Sequence, residues 1–241
     1  KIYEAGAPEH NGSWRYVWDY MSVDMKYKGR MSKNPKELQK IMDTPWLMEH
    51  VKNGHGPLAA AYPQDYTSEG DSPSFMPLVD NGLEQHTDYT LGGWGGRAIY
   101  EKGNHMVDGA DMNHGKADLH YTFQRWLEAA QNDWAARADW CVKSYQEANH
   151  QPLVKLKHKS TLSAKSGSTV QLSAGGTHDP DGDELTYRWW FYEEAGDYRG
   201  EIEIKNADSR DAVLSVPADI ETETELHIIL EVKDKNPRTG K

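Results

Sequence analysis

The rhythm of apolar and polar positions changes once along the chain, near residue 150. Before that point extended and helical patterns alternate. Lys1 to Glu4 reads as a short strand, Ser13 to Tyr20 as a helix with Ser13 as its N-cap, and Val23 to Tyr27 as a strand. Asn34-Pro-Lys-Glu-Leu opens a helix with proline in its first turn, and Leu38, Ile41 and Met42 recur at helical spacing. From Asp118 to Tyr145, residues Leu119, Phe123, Trp126, Leu127, Ala130, Trp134, Cys141 and Tyr145 fall on one stripe. No glycine or proline interrupts this stretch, which predicts one long helix, buried along one side and ended before Pro152.

After Pro152 the pattern becomes short alternating runs. Val170 and Leu172 alternate with polar neighbours, and Leu185, Tyr187, Trp189 and Phe191 share a face. Ile202 with Ile204, Val213, and then Leu226, Ile228, Leu230 and Val232 repeat the pattern. Five or six short strands divided by turns predict an all-β sandwich. The fold class expected is therefore α/β over residues 1–150, followed by an immunoglobulin-like β-sandwich over residues 151–241.

Composition narrows the functional classes. The net charge of −11 is spread evenly. There are 15 basic and 21 acidic residues up to His150, a charge of −6, against 12 and 17 after it, −5. Neither part offers a basic face for phosphates, so nucleic acid is not an expected partner. No apolar run approaches the ~20 residues that cross a bilayer, so no membrane span is expected. Cys141 is the single cysteine, which leaves no internal disulfide, and its place on the helical stripe predicts a buried thiol.

Several stretches carry a resemblance: Asn53-Gly-His-Gly-Pro-Leu, Glu69-Gly-Asp-Ser-Pro-Ser-Phe, Asp80-Asn-Gly-Leu, Gly92-Gly-Trp-Gly-Gly-Arg97, Gln131-Asn-Asp-Trp-Ala-Ala-Arg137 and Asp179-Pro-Asp-Gly-Asp-Glu-Leu-Thr-Tyr-Arg-Trp-Trp190. In order and content they resemble the bacterial cellulose-binding proteins that join a nucleoside-hydrolase-like domain to a C-terminal β-sandwich. The aspartate-rich calcium loop that opens such hydrolases has no counterpart before residue 179. The resemblance therefore implies that residues 1–150 are the C-terminal half of the hydrolase-like domain, with an N-terminal half as its partner. It implies a polysaccharide or glycoside substrate, calcium as cofactor, and a secreted or periplasmic location with any export signal outside residues 1–241.

The candidate residues follow. Asp71, in Glu69-Gly-Asp-Ser-Pro, is similar to the late aspartate that returns to calcium in nucleoside hydrolases, and Glu69, standing where those enzymes carry histidine, is with His55 a catalytic candidate near the substrate. Calcium takes six to eight oxygens, so one aspartate completes a site but does not make one. Asp71 also suits the N-cap of a helix starting at Ser72-Pro73. Trp94 and Arg97 sit on a backbone freed by four glycines, where the ring can stack on a sugar and the guanidinium can bind hydroxyls. Equally, the glycines can form a turn that tucks Trp94 into the core and leaves Arg97 paired to an acid. His55, between two glycines, is a candidate proton donor or sugar ligand, or an ordinary loop histidine. Asn81 is counted with the substrate-binding candidates, although capping beside Gly82 suits it as well. Asp133 and Arg137 are spaced for an i,i+4 ion pair.

Asp179-Pro-Asp-Gly-Asp resembles the loop of polycystic-kidney-type sandwiches. No glutamate stands at its twelfth position, Trp190, which rules out a full EF-hand and leaves a tight Asx turn or weak calcium binding. Beyond it, Trp190 and Tyr192 are expected on the face opposite the core, where they either contact the first domain or offer a carbohydrate platform. The expected function is that of a carbohydrate-active protein hydrolysing a glycosidic bond with a calcium-bound water. The alternative is a non-catalytic binder of cellulose or another glycan.

Overall fold

The computed structural model describes residues 2–3, 35–62, 75–102 and 105–236. The chain forms two compact units, Lys1–Ala148 and Asn149–Lys241. The helix expected at Ser13–Tyr20, the strand at Val23–Tyr27, and Glu69 and Asp71 lie outside the described residues.

In the first unit β1 (Ile2–Tyr3) runs parallel to β3 (His105–Asp108), and β2 (Ala98–Lys102) pairs antiparallel with β3, giving the sheet order β1-β3-β2. A hairpin of β4 (Asp111–Asn113) and β5 (Lys116–Asp118) follows, turned by His114 and Gly115, both at positive φ. Two positive φ values in a two-residue loop match the twist of the flanking strands.

The helical part starts at α1 (Lys36–Lys40), directly after Pro35. Next comes α2 (Thr44–Leu47), where Asp43 Oδ1 accepts the N–H of Trp46 at 3.0 Å and so satisfies a donor that the first turn leaves open. A π-turn, Met48–Lys52, leads toward α3 (Gly56–Ala61).

The stripe from Asp118 to Tyr145 does not form one helix. Asp118 stays on β5 opposite Asp111, and its carboxylate accepts the N–H of His120, which turns the chain before any helix begins. The helix is then split into α4 (Tyr121–Gln124) and α5 (Leu127–Trp140). At the break the N–H of Trp126 bonds to Phe123 O, three residues back. Past Trp140 the chain tightens through i−3 bonds at Cys141 and Val142, and Cys141, expected to be buried, is exposed. Leu119 and Tyr145 are exposed too, so the buried stripe covers Phe123 to Ala130 rather than the whole run.

Two apolar clusters organise the helices. Met42, Phe123, Leu127 and Ala130 form one, with Leu38, Ile41, Met76 and Trp94 packed against it. Trp46, Leu47 and Val51 form the other, with Ile41, Tyr62, Trp134 and Ala135. Ile41 belongs to both, and Gln131, wholly buried, donates to Ile41 O at 2.9 Å, fixing α5 against the α1–α2 turn.

The described residues of the second unit form two small antiparallel sheets. One pairs β7 (Leu185–Phe191) with β10 (Ile228–Asp234). The other is β6 (Thr169–Ser173), β9 (Asp211–Ser215) and β8 (Glu203–Lys205), in that order. Both sheets contribute to one cluster of Leu172, Ala174, Trp189, Ala212 and Leu214, flanked by Tyr187, Ile204, Ile228 and Leu230 among others. On β9 the buried side chains are Ala212 and Leu214 rather than Val213, because their cross-strand partners Leu172 and Val170 face the cluster. Tyr192 is fully buried and Ile229 is buried beside Trp190, so Trp190 and Tyr192 do not form an exposed carbohydrate platform. The strand ends at Phe191, and strict alternation therefore stops before Tyr192.

Candidate functional site

The loop Gly92–Arg97 links the 3-10 turn Tyr89–Leu91 to β2. Asp88 starts the turn by accepting from Thr90 N at 2.9 Å and Thr90 Oγ1 at 2.8 Å. Glycine is required here for an internal reason. A Cβ on Gly95 would lie 2.7 Å from Pro77 Cγ, and one on Gly93 would lie 2.5 Å from Gln85 Oε1. The buried Gln85 amide clamps two consecutive residues of the loop, accepting from Gly95 N at 3.2 Å and donating to Gly96 O. Gly92 and Gly96 take positive φ.

The two side chains of this loop go to different partners. Trp94 is half-buried and packs on the cluster of Met42, Phe123, Leu127 and Ala130. Arg97 turns inward. Its Nε donates to Asp111 Oδ1 at 2.7 Å and an Nη to Ala110 O at 2.7 Å. Asp111, with no exposed side-chain surface, also accepts from Arg125 at 3.1 Å through Oδ2, so two guanidiniums neutralise one buried carboxylate.

His55 is held between Gly54 and Gly56, both at positive φ. Its Nε2 lies 2.9 Å from Asp139 Oδ1, while Lys143 Nζ bonds Asp139 Oδ2 at 2.8 Å. A carboxylate on one imidazole nitrogen orients the ring and fixes its tautomer. The side chain keeps 10% of its surface, and Nδ1 is buried with no hydrogen-bond partner. Trp94 packs on the cluster that includes Leu127 and Ala130, whereas His55 meets Asp139, nine to twelve residues further along α5, about 13 to 18 Å at the helical rise.

Asn81 uses its Oδ1 to accept Leu83 N at 3.0 Å, an Asx turn next to Gly82 at positive φ. Asp133 and Arg137 form the expected ion pair at 2.6 Å. Gln85, Asp111 and Asp139, which anchor these candidates, carry no local sequence signal, since each acts on a partner 10 to 84 residues away.

In the second unit Asp179, Asp181 and Asp183 bring carboxylate oxygens within 4.8 Å of one another. Asp179 Oδ1 accepts the N–H groups of Asp181 and Asp183 at 2.8 and 3.1 Å, and Asp181 accepts from His150 N at 2.7 Å. Burial pushes the Asp234 carboxyl above its usual range. A hydrogen bond from Asn149 opposes that, and the nearby charges of Asp179 and Asp183 add to it.

Residues 5–98, which contain His55, Glu69, Asp71, Asn81, Trp94 and Arg97, match the family model described as cellulose-binding Sde182, nucleoside hydrolase-like domain. Residues 169–239 match the model described as cellulose-binding protein Sde0182, C-terminal domain. No curated protein matches the chain. A solved structure, a nucleoside hydrolase-related hypothetical protein from Saccharophagus degradans associated with carbohydrate metabolism, is similar with a TM-score of 0.66 and 32% identity. The similarity covers 79% of this chain and 50% of that one, so the chain spans about half the length of this relative. Among the described residues no helix is long and apolar enough to cross a membrane. In order along the chain, then, one stretch is similar to the nucleoside-hydrolase-like domain and a later one to the C-terminal domain described for cellulose-binding proteins of the Sde0182 type.

Proposed function

We propose that the chain is part of a secreted carbohydrate-active protein and that its own contribution is to bind polysaccharide, with the Trp94 ring as a sugar contact and the second unit an immunoglobulin-like sandwich. The observation that carries this reading is the disposition of the candidates. Arg97 Nε and Nη2, Asn81 Oδ1 and His55 Nε2 are taken up by the protein's own groups, whereas Trp94 is only partly buried. An indole face stacks on the apolar face of a pyranose without needing a charged partner. The test is co-sedimentation of residues 1–241 with microcrystalline cellulose, with Trp94→Ala as the comparison. Retention that falls in the variant while its circular dichroism stays native supports the reading, and equal retention removes Trp94 from it.

A second reading, hydrolysis of a glycosidic bond, is favoured by the match of residues 5–98, Glu69 and Asp71 included, to a nucleoside-hydrolase-like domain. Asp71 supplies one carboxylate where calcium takes six to eight oxygens. Metal-water chemistry would therefore need further ligands to join Asp71, with Glu69 beside the substrate. Metal-dependent sugar release by a protein extended upstream, lost in Asp71→Asn, would establish it.

A further inference from the structure

We propose that the Asp179–Asp183 loop is a calcium site that braces the start of the second unit, separate from any metal of the hydrolase-like domain. Asp179-Pro-Asp-Gly-Asp sets carboxylates at alternate positions, and Gly182 at positive φ lets the chain curl so that all three converge. Two oxygens bound to one calcium at 2.3 to 2.6 Å stand at most about 5 Å apart, and the three ligand atoms meet that limit.

Convergence alone would only repel. The second observation concerns the oxygens that the turn does not use. Asp179 spends Oδ1 on the N–H groups of Asp181 and Asp183, while its Oδ2 and the Oδ2 of Asp183 are shut off from solvent with no hydrogen-bond partner. A buried carboxylate oxygen without a donor is costly. Among the described residues neither Asp179 nor Asp183 has a lysine or arginine partner. An oxygen-seeking cation satisfies both atoms and cancels the repulsion at once.

The surroundings hold the third ligand in place. The Asp181 side chain keeps 6% of its surface, and His150 grips it with its backbone N–H at 2.7 Å and with Nδ1 at 3.1 Å. This is the role that outer partners play around bound metals, fixing a ligand's direction without touching the ion. His150 lies at the beginning of the unit and the loop opens β7, so an ion here ties the two segments together. Calcium suits a flexible turn of carboxylates better than magnesium, which demands near-ideal octahedral geometry.

The test uses residues 1–241 treated with EGTA, then titrated with calcium chloride by calorimetry and followed by thermal melting. One site with Kd of about 10⁻³ M or tighter, and a melting temperature that rises with calcium, is expected. Asp183→Asn should weaken calcium at least tenfold while melting in EGTA at or above the parent temperature, since it removes a repelling charge. Asp71→Asn should leave the response intact. No heat and no melting shift in the parent overturns the proposal, as does a response lost in Asp71→Asn but kept in Asp183→Asn. An Asp183→Asn protein destabilised equally in EGTA and in calcium makes the residue structural only, and overturns it too.

Discussion

Arg97 Nε donates to Asp111 Oδ1 at 2.7 Å, joining the end of the glycine loop to the first residue of β4 in a buried pair. Asp111 also receives Arg125 from the break between α4 and α5. One carboxylate thus fastens loop, hairpin and helix together.

Removing the acid leaves two guanidiniums without their partner. Breaking a buried pair from one side costs about 3 to 5 kcal/mol, so Asp111→Ala should lower stability by that order in urea melts. Arg97→Lys should also destabilise, because an ammonium does not reproduce the planar fork that reaches both Asp111 and Ala110 O. Neither substitution should act on sugar affinity in excess of its effect on folding.

The glycines separate two kinds of constraint. Gly95→Ala places a methyl against the Pro77 ring and should cost about 1 to 3 kcal/mol through overpacking. Gly115→Ala meets no atom within 4 Å but keeps a φ of 78°, so it should cost about 1 to 2 kcal/mol from backbone strain alone. His114→Asn, at φ 49°, should stabilise the hairpin by a few tenths of a kcal/mol, since asparagine tolerates that region. Parallel denaturant titrations of the three variants check the order.

Asp118 gives the first unit a pH dependence. Burial raises its pKa, but hydrogen bonds from Asn113 and the His120 N–H, with the charge of His120, outweigh burial and hold it below the usual value. A depressed folded-state pKa contributes stability that is present above the unfolded value of about 3.9 and is lost as pH falls through the folded one. Asp118→Asn should therefore be less stable than the parent at pH 7, and the gap should close below about pH 4. Thermal melts of both proteins at pH 7, 5 and 3.5 measure it.

Local signals in the sequence translated into structure where the partners were local. Pro35 opens α1, Asp133 and Arg137 pair across one helical turn, and the alternating runs after Pro152 became strands with Trp189 and Leu172 inside. The extent of the aromatic stripe did not survive, because Asp118 was recruited to a hairpin and Arg125 to Asp111. The glycine loop was legible as a special backbone, but not its cause. Gln85 and Pro77 reach it from a separate turn, and no spacing rule connects them to Gly93 and Gly95. Asp139 behind His55 was hidden for the same reason, with 84 residues between them. The Asp179 turn was legible as far as its own backbone N–H groups supply the donors, but His150, 31 residues from Asp181, was not.

The most direct measurement of the account is a cellulose-binding isotherm for residues 1–241, together with Trp94→Ala and a surface control, Asp208→Asn. Saturable binding, lost at least tenfold in Trp94→Ala and unchanged in Asp208→Asn, with both variants melting within a few degrees of the parent, is the predicted result. No saturable binding by the parent, or a Trp94→Ala isotherm that overlays it, would contradict the assignment of polysaccharide binding to this loop.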